Sequence, residues 1–353
     1  MKYLVLVISV IVFLSSFNQE GAIGAKEKLS DYQFFTGNLA DLKPANGVLP
    51  YSLNTPLFSD YAEKARFIKL PENQTATYND KEVLDFPKGT TIIKNFYFPN
   101  DFRNPAKGRK IIETRLLIHE DSGWKAYEYV WNEEQTDAFL EVAGDTKEVS
   151  YVYLDGKKKK HQYSIPNLNQ CKGCHNRSEK MSPIGPSARQ LNGVFVDNFH
   201  TDRVLNPVSV NDNQLLAWQK MGILTGLPDI ASIPKAPVWN DPKTGSLDER
   251  ARIWLDINCA HCHRPEGPAS TSGLNLSIHN NDLTTLGIEK APVAAGRGTG
   301  DKKYDIVKGH PEQSILLYRL ESTDPGIMMP EVGRRQVHKE SVALIKEWIE
   351  NMK

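Results

Sequence analysis

Two short segments, Cys171-Lys-Gly-Cys174-His175 and Cys259-Ala-His-Cys262-His263, use all four cysteines of the chain. Two thiols three positions apart can reach the two vinyl groups of one porphyrin, and the imidazole that follows then falls beneath the iron. The spacing predicts two covalently attached c-type haems, with Cys171, Cys174, Cys259 and Cys262 as thioethers and His175 and His263 as proximal iron ligands. Two other chemistries use the same residues. A four-thiolate zinc site would take both cysteine pairs but has no need of the histidines, and the pairs lie far apart in the chain. Redox disulfides within each pair need no histidine either.

The elements around these motifs give an α+β multidomain chain. Lys2 is followed by an apolar run from Tyr3 to Leu14, too short to span a bilayer, and then by small residues from Ala22 to Ala25. A signal peptide is expected over 1–25, which places the mature chain in the periplasm or outside a bacterial cell, where thioethers form. No later segment is apolar enough to span a membrane. The 43 basic and 43 acidic residues balance, so neither nucleic acid nor an anionic membrane is indicated as a partner.

Over 26–165 the pattern is strand-like. Thr90 to Phe98, Thr114 to His119 and Tyr127 to Trp131 are separated by Gly, Pro, Asn and Asp clusters, which predicts a β-rich sandwich or barrel-like domain. The aromatic residues there read as core, and Asn132 to Asp137 as a turn closing a strand. Asp155-Gly156 signals a hairpin after Val149, Tyr151 and Tyr153, so Lys157 to Lys160 reads as a solvated hairpin tip, or else as a docking patch for an acidic redox partner.

A first haem-binding segment follows over 166–245, with a helical stretch from Gln214 to Leu224 capped by Asn213. A mainly α-helical haem domain is expected over 246–353. There Ser246-Leu-Asp-Glu249 is a capping box, and Leu247, Ala251, Trp254 and Leu255 repeat at helical spacing up to Cys259. Pro311 suits a first helical position, and Val342, Leu344, Ile345, Trp348 and Ile349 mark the apolar face of a terminal helix.

With its helix before Cys259, its Met329-Pro330 loop and its terminal helix, the part from Ser246 onward resembles a class I cytochrome c domain. That resemblance implies Met329 as the distal ligand of the second haem, with Met328 the alternative, and a thioether ligand raises the potential relative to a second histidine. Taken whole, the chain resembles secreted bacterial di-haem c-type cytochromes of unassigned role. Leu57-Phe-Ser-Asp-Tyr-Ala62, Glu113-Thr-Arg-Leu-Leu117, Tyr129-Val-Trp-Asn132 and Leu255-Asp-Ile-Asn-Cys259 carry that likeness, which implies an architecture rather than an activity.

The sixth ligand of the first haem stays open among Met181, Met221, His200, His161, His119 and no ligand at all. The leading expectation is a one-electron carrier between a periplasmic or extracellular donor, a dehydrogenase or another cytochrome, and an acceptor. The alternatives are a peroxidase-like di-haem oxidoreductase with an open first iron, and a binding module with tethered haems.

Overall fold

A run of alternating residues builds the centre of the molecule. In the computed structural model, which describes residues 24–196, 212–293 and 295–353, the elements in chain order are as follows. Strands β1 (Val48–Tyr51), β2 (Glu63–Lys69), β3 (Ala76–Thr77), β4 (Thr91–Pro99), β5 (Arg109–Glu120), β6 (Gly123–Trp131), β7 (Ala138–Leu140), β8 (Asp145–Val152) and β9 (Lys158–Ile165) come first. Helix α1 (Leu168–Cys174), the short strands β10 (Asn176–Arg177) and β11 (Lys180–Met181), and helices α2 (Ala188–Leu191) and α3 (Gln214–Lys220) follow. Strand β12 (Leu224–Thr225) and helices α4 (Leu247–Leu255), α5 (Ile315–Glu321) and α6 (Lys339–Glu350) complete the chain. The expected signal peptide lies, apart from its last two residues, outside the described residues, as does His200.

Six strands form one antiparallel sheet in the order β1-β2-β4-β5-β6-β7. Successive residues of a strand face opposite sides, so Phe67, Ile93, Leu116 and Tyr129 fall on one face, where Leu29, Tyr32, Phe35 and Leu42 cover them. On the other face Ile68, Ile92 and Leu117 pack against Leu191, Leu215 and Trp218. Toward the far end of that face, Phe96 and Ile112 meet Tyr151 and Tyr163 of the β8-β9 hairpin. That hairpin turns at the expected Asp155-Gly156, and Lys159 and Lys160 are held there by Asp155 and Glu148 at 2.9 Å each.

The expected architecture needs correction. The dominant element is an open sheet with β1 and β7 as its edges, and the part after it is not mainly α-helical. Residues 246–353 hold three α-helices of nine, seven and twelve residues, joined by long turns. The reason lies between Gly267 and Pro311, where Gly, Pro, Asn, Ser and Thr dominate and local side-chain bonds such as Asn280 Nδ2 to the Asn275 carbonyl (2.7 Å) replace a helical ladder. The three helices still share a core built from Trp254, Leu255, Leu320, Ile345 and Trp348. Among the described residues no helix is long and apolar enough to cross a membrane.

The capping box forms as the sequence predicts. The Glu249 amide donates to Ser246 Oγ at 3.2 Å, and Glu249 Oε2 accepts from the Ser246 amide at 2.8 Å. Ser246→Ala is expected to cost about 1 kcal/mol, read from the urea midpoint, with no change in the denaturant slope.

The C-terminal part is knitted to the sheet side. Asp60 accepts from the Arg335 and Gln336 amides, Phe58 donates its amide to Asn258 Oδ1 at 2.9 Å, and the His338 ring stacks on Phe58 at 4.0 Å. Glu82 bridges Arg177 and Arg264 at 2.8 and 2.7 Å.

Candidate functional site

The first motif rides on α1. Asn167 caps this helix by accepting from the Gln170 amide at 2.9 Å, and the Gln170 side chain returns the bond to the Asn167 amide. Cys171 and Cys174 therefore sit one turn apart, and His175 ends the helix with its amide on the Cys171 carbonyl. The His175 ring lies 2.9 Å through Nδ1 from the Ser182 carbonyl. A carbonyl can only accept, so Nδ1 carries the proton and Nε2 keeps its lone pair. Burial holds this imidazole neutral, with its pKa down at about 4.

The second motif is built differently and reaches the same state. Helix α4 runs into a π-helical turn over Asp256–Ala260 that carries Cys259, and the Cys262 and His263 amides both return to the Cys259 carbonyl. His263 Nδ1 lies 3.1 Å from Ser272 Oγ, whose own hydrogen goes to the Ala269 carbonyl at 2.7 Å. Ser272 therefore accepts from Nδ1, and Nε2 of His263 is again the free nitrogen. Burial takes this imidazole down to about 4 as well. A fixed Nδ1–H with an available Nε2 is how proteins prepare a histidine for a metal.

Each motif opens on a cavity. Cys171, Cys174 and His175 line the first, together with Leu116, Leu117 and Trp254. Cys259, Cys262 and His263 line the second, against Leu276, Ile315 and Leu316. Met329 lines both, while Met328 is buried outside them. The thiols differ in state. Burial pushes Cys259 up to about 12 and also raises Cys171, whereas bonds from Cys262 and then His261 bring Cys174 down to about 4.

The two motifs meet. One ligand atom from each of Cys174, His261 and Cys262 lies within 4.8 Å of the others, and Cys262 Sγ approaches the Gly173 carbonyl at 3.9 Å. No family model, no curated protein and no solved structure matches this chain.

The resemblance to the secreted di-haem cytochromes, and with it the class I cytochrome c domain, is therefore corrected. The C-terminal part lacks the mainly helical layout it implies. Among the described residues the one group of metal-ligating side chains mixes the two motifs and uses His261, between the cysteines of the second, rather than a trailing histidine. The two motifs thus adjoin one another instead of standing as two separate, self-contained units.

Of the candidates for a sixth ligand at the first motif, none of the four described lines its cavity. Met181 and Met221 pack against the core around Trp218. His161 sits beside Phe98 and Tyr151 with Nε2 buried and unpartnered, and His119 stacks on Trp124 with Nδ1 on the Phe86 carbonyl.

Sequence reasoning missed two groups that do face the first cavity. His338 lines it with a buried, unpartnered Nδ1, and so do Lys94, Arg115 and Glu128 from the sheet. The signal for the latter was charge inside strands otherwise apolar or aromatic, as at Lys94 between Ile93 and Phe96.

Proposed function

We propose that the chain is a c-type haem protein that carries single electrons, with one haem at each cysteine pair. The observation that carries this reading is the shared state of His175 and His263. Each lies directly after a cysteine pair, donates Nδ1–H to an oxygen, and lines a largely apolar cavity that both cysteines of its pair also line. Haem iron would supply reversible one-electron chemistry at these positions. The chain's own residues would hold the porphyrin by Cys171 and Cys174, or Cys259 and Cys262, and keep water from its faces with Leu116, Leu117, Leu276 and Ile315. Met329 offers a thioether to the second cavity. In the first, besides His175, the side chains His261, His338 and Met329 have lone pairs suited to iron.

Donor and acceptor would be redox proteins, a dehydrogenase or another cytochrome, in the periplasm or outside the cell. A second reading follows from the Cys174, His261 and Cys262 group, which supplies three ligands for zinc with a fourth position open. The thiols cannot serve both roles at once.

The test is a haem count per chain on protein made in cells that attach c-type haem, with zinc measured on the same sample. Two haems and no zinc support the carrier. Zinc without haem moves the second reading to first place. Carbon monoxide added to the reduced protein then separates carrier from enzyme, because a carrier with both sixth positions filled leaves its spectrum unchanged, while an open iron binds the gas.

A further inference from the structure

One face of the sheet carries a row of charges between its two apolar clusters. The strand register sets Arg66 opposite Lys94, Lys94 opposite Arg115, and Arg115 opposite Glu128. Lys64, two residues before Arg66, shares that face. Only one member of this row has its countercharges. The Arg115 guanidinium pairs with Glu113 and, at 3.2 Å, with Glu128.

The others do not. Arg66 is 8% exposed, its one bond is a 3.4 Å contact from Nη1 to the Lys64 carbonyl, and its Nη2 is buried with no acceptor. Lys94 and Lys64 lie over the Phe96 ring at 4.8 and 5.9 Å. Among the described residues no carboxylate forms an ion pair with Lys64, Arg66 or Lys94; Glu63, Asp60 and Glu113 act on them only through space, and Asp60 accepts from backbone amides. Like charges directly opposite each other across strands repel, and a cation shielded from water without a partner is costly to keep. Burial, reinforced by the Arg66 and Arg115 charges, holds the Lys94 ammonium well below its usual range.

The row ends at a space. Lys94 and Arg115 line the first cavity, which also holds Cys171, Cys174 and His175. We propose that Lys94 and Arg115, with Arg66 behind them, form a carboxylate-binding site facing that cavity. A carboxylate there would give Lys94 and Arg66 the countercharge that Arg115 already has and relieve the repulsion between their strands. Its source is either the propionate groups of a tetrapyrrole held by the first motif or a small organic acid that enters the cavity. The first source rests on the haem reading; the second does not.

The experiment compares the purified full-length protein, its haem counted, with Lys94→Met, which keeps length and removes charge, and Lys94→Arg, which restores charge. Thermal midpoints and both haem potentials are read with and without sodium succinate as the probe acid. If propionates fill the site, Lys94→Met lowers one of the two potentials and the midpoint, the latter by about 2–4 °C or more. Lys94→Arg recovers both, and succinate changes nothing. If a free acid fills it, succinate raises the wild-type midpoint saturably and leaves that of Lys94→Met unmoved. A protein without haem defeats the haem reading alone, and the succinate arm still decides the site. The proposal is overturned if Lys94→Met leaves the midpoint unchanged or raised, moves neither potential, and succinate has no effect on any form.

Discussion

Arg115→Leu is expected to lower stability by about 3–5 kcal/mol at neutral pH, the cost of stranding charge after one member of a buried pair is removed. Arg115 is the cation between two acids that have almost no exposure, Glu113 at 0% and Glu128 at 4%. Tyr163 adds its hydroxyl to Glu113 at 2.6 Å. Burial works to raise Glu113, but the Arg115 charge and the bonds it receives overcome this, and Glu113 is held below the ordinary carboxylate range. Burial and the neighbouring Glu113 charge push Glu128 well above it.

The pH dependence follows in sign. In the wild type, the share of stability from Glu113 is present above the unfolded value near 4.3 and is lost as pH falls through its lower folded value. In the variant, burial without the cation raises the folded value, so the native state binds the proton more readily and the variant gains stability on acidification. The difference between the two proteins therefore shrinks from pH 7 to pH 4.5. Guanidinium midpoints measured across that range check it, and a deficit independent of pH would mean that the pair is not its source.

The second large effect concerns the cysteines. On the proposed haem reading, replacing Cys171 and Cys174 together by alanine is expected to reduce haem from two per chain to one and to leave a single redox wave. Because Cys174 and Cys262 stand within 4.8 Å, porphyrins attached through them would be neighbours. The intact protein is then expected to show a bisignate Soret circular dichroism band, which the double variant replaces by a single-signed one. The remaining haem should also shift in potential, since the charge on one iron acts on the other across a short, poorly screened path. Loss of both haems in the variant would instead mark the two motifs as one shared site.

How much of this was readable in advance depends on the range of the interaction. The strands around Ile92, Leu116 and Tyr129, the Ser246 capping box, the Asp155-Gly156 hairpin and the apolar face of α6 are set by neighbours within a few residues, and composition and period expose them. The helical domain over 246–353 was misread because a capped first helix and an amphipathic last one say nothing about the turns between them. The meeting of Cys174 with His261 and Cys262 joins positions far apart in the chain, and no local pattern encodes it. The row from Arg66 to Glu128 was legible only as an anomaly, one charge at an inward position in each of four strands whose pairing was not yet known.

Cys259 is 8% exposed, closed in by Leu255, Leu276 and the terminal helix with Trp348. A sulfur so enclosed is out of reach of any enzyme that must align it with a vinyl group. Under the proposed haem reading, attachment at this position would belong to the time before α6 docks, and the polypeptide would meet the cofactor while still unfolded. On that timetable the porphyrin would be a template for the C-terminal core rather than a guest in it, and maturation would be ordered, with chemistry first and packing second.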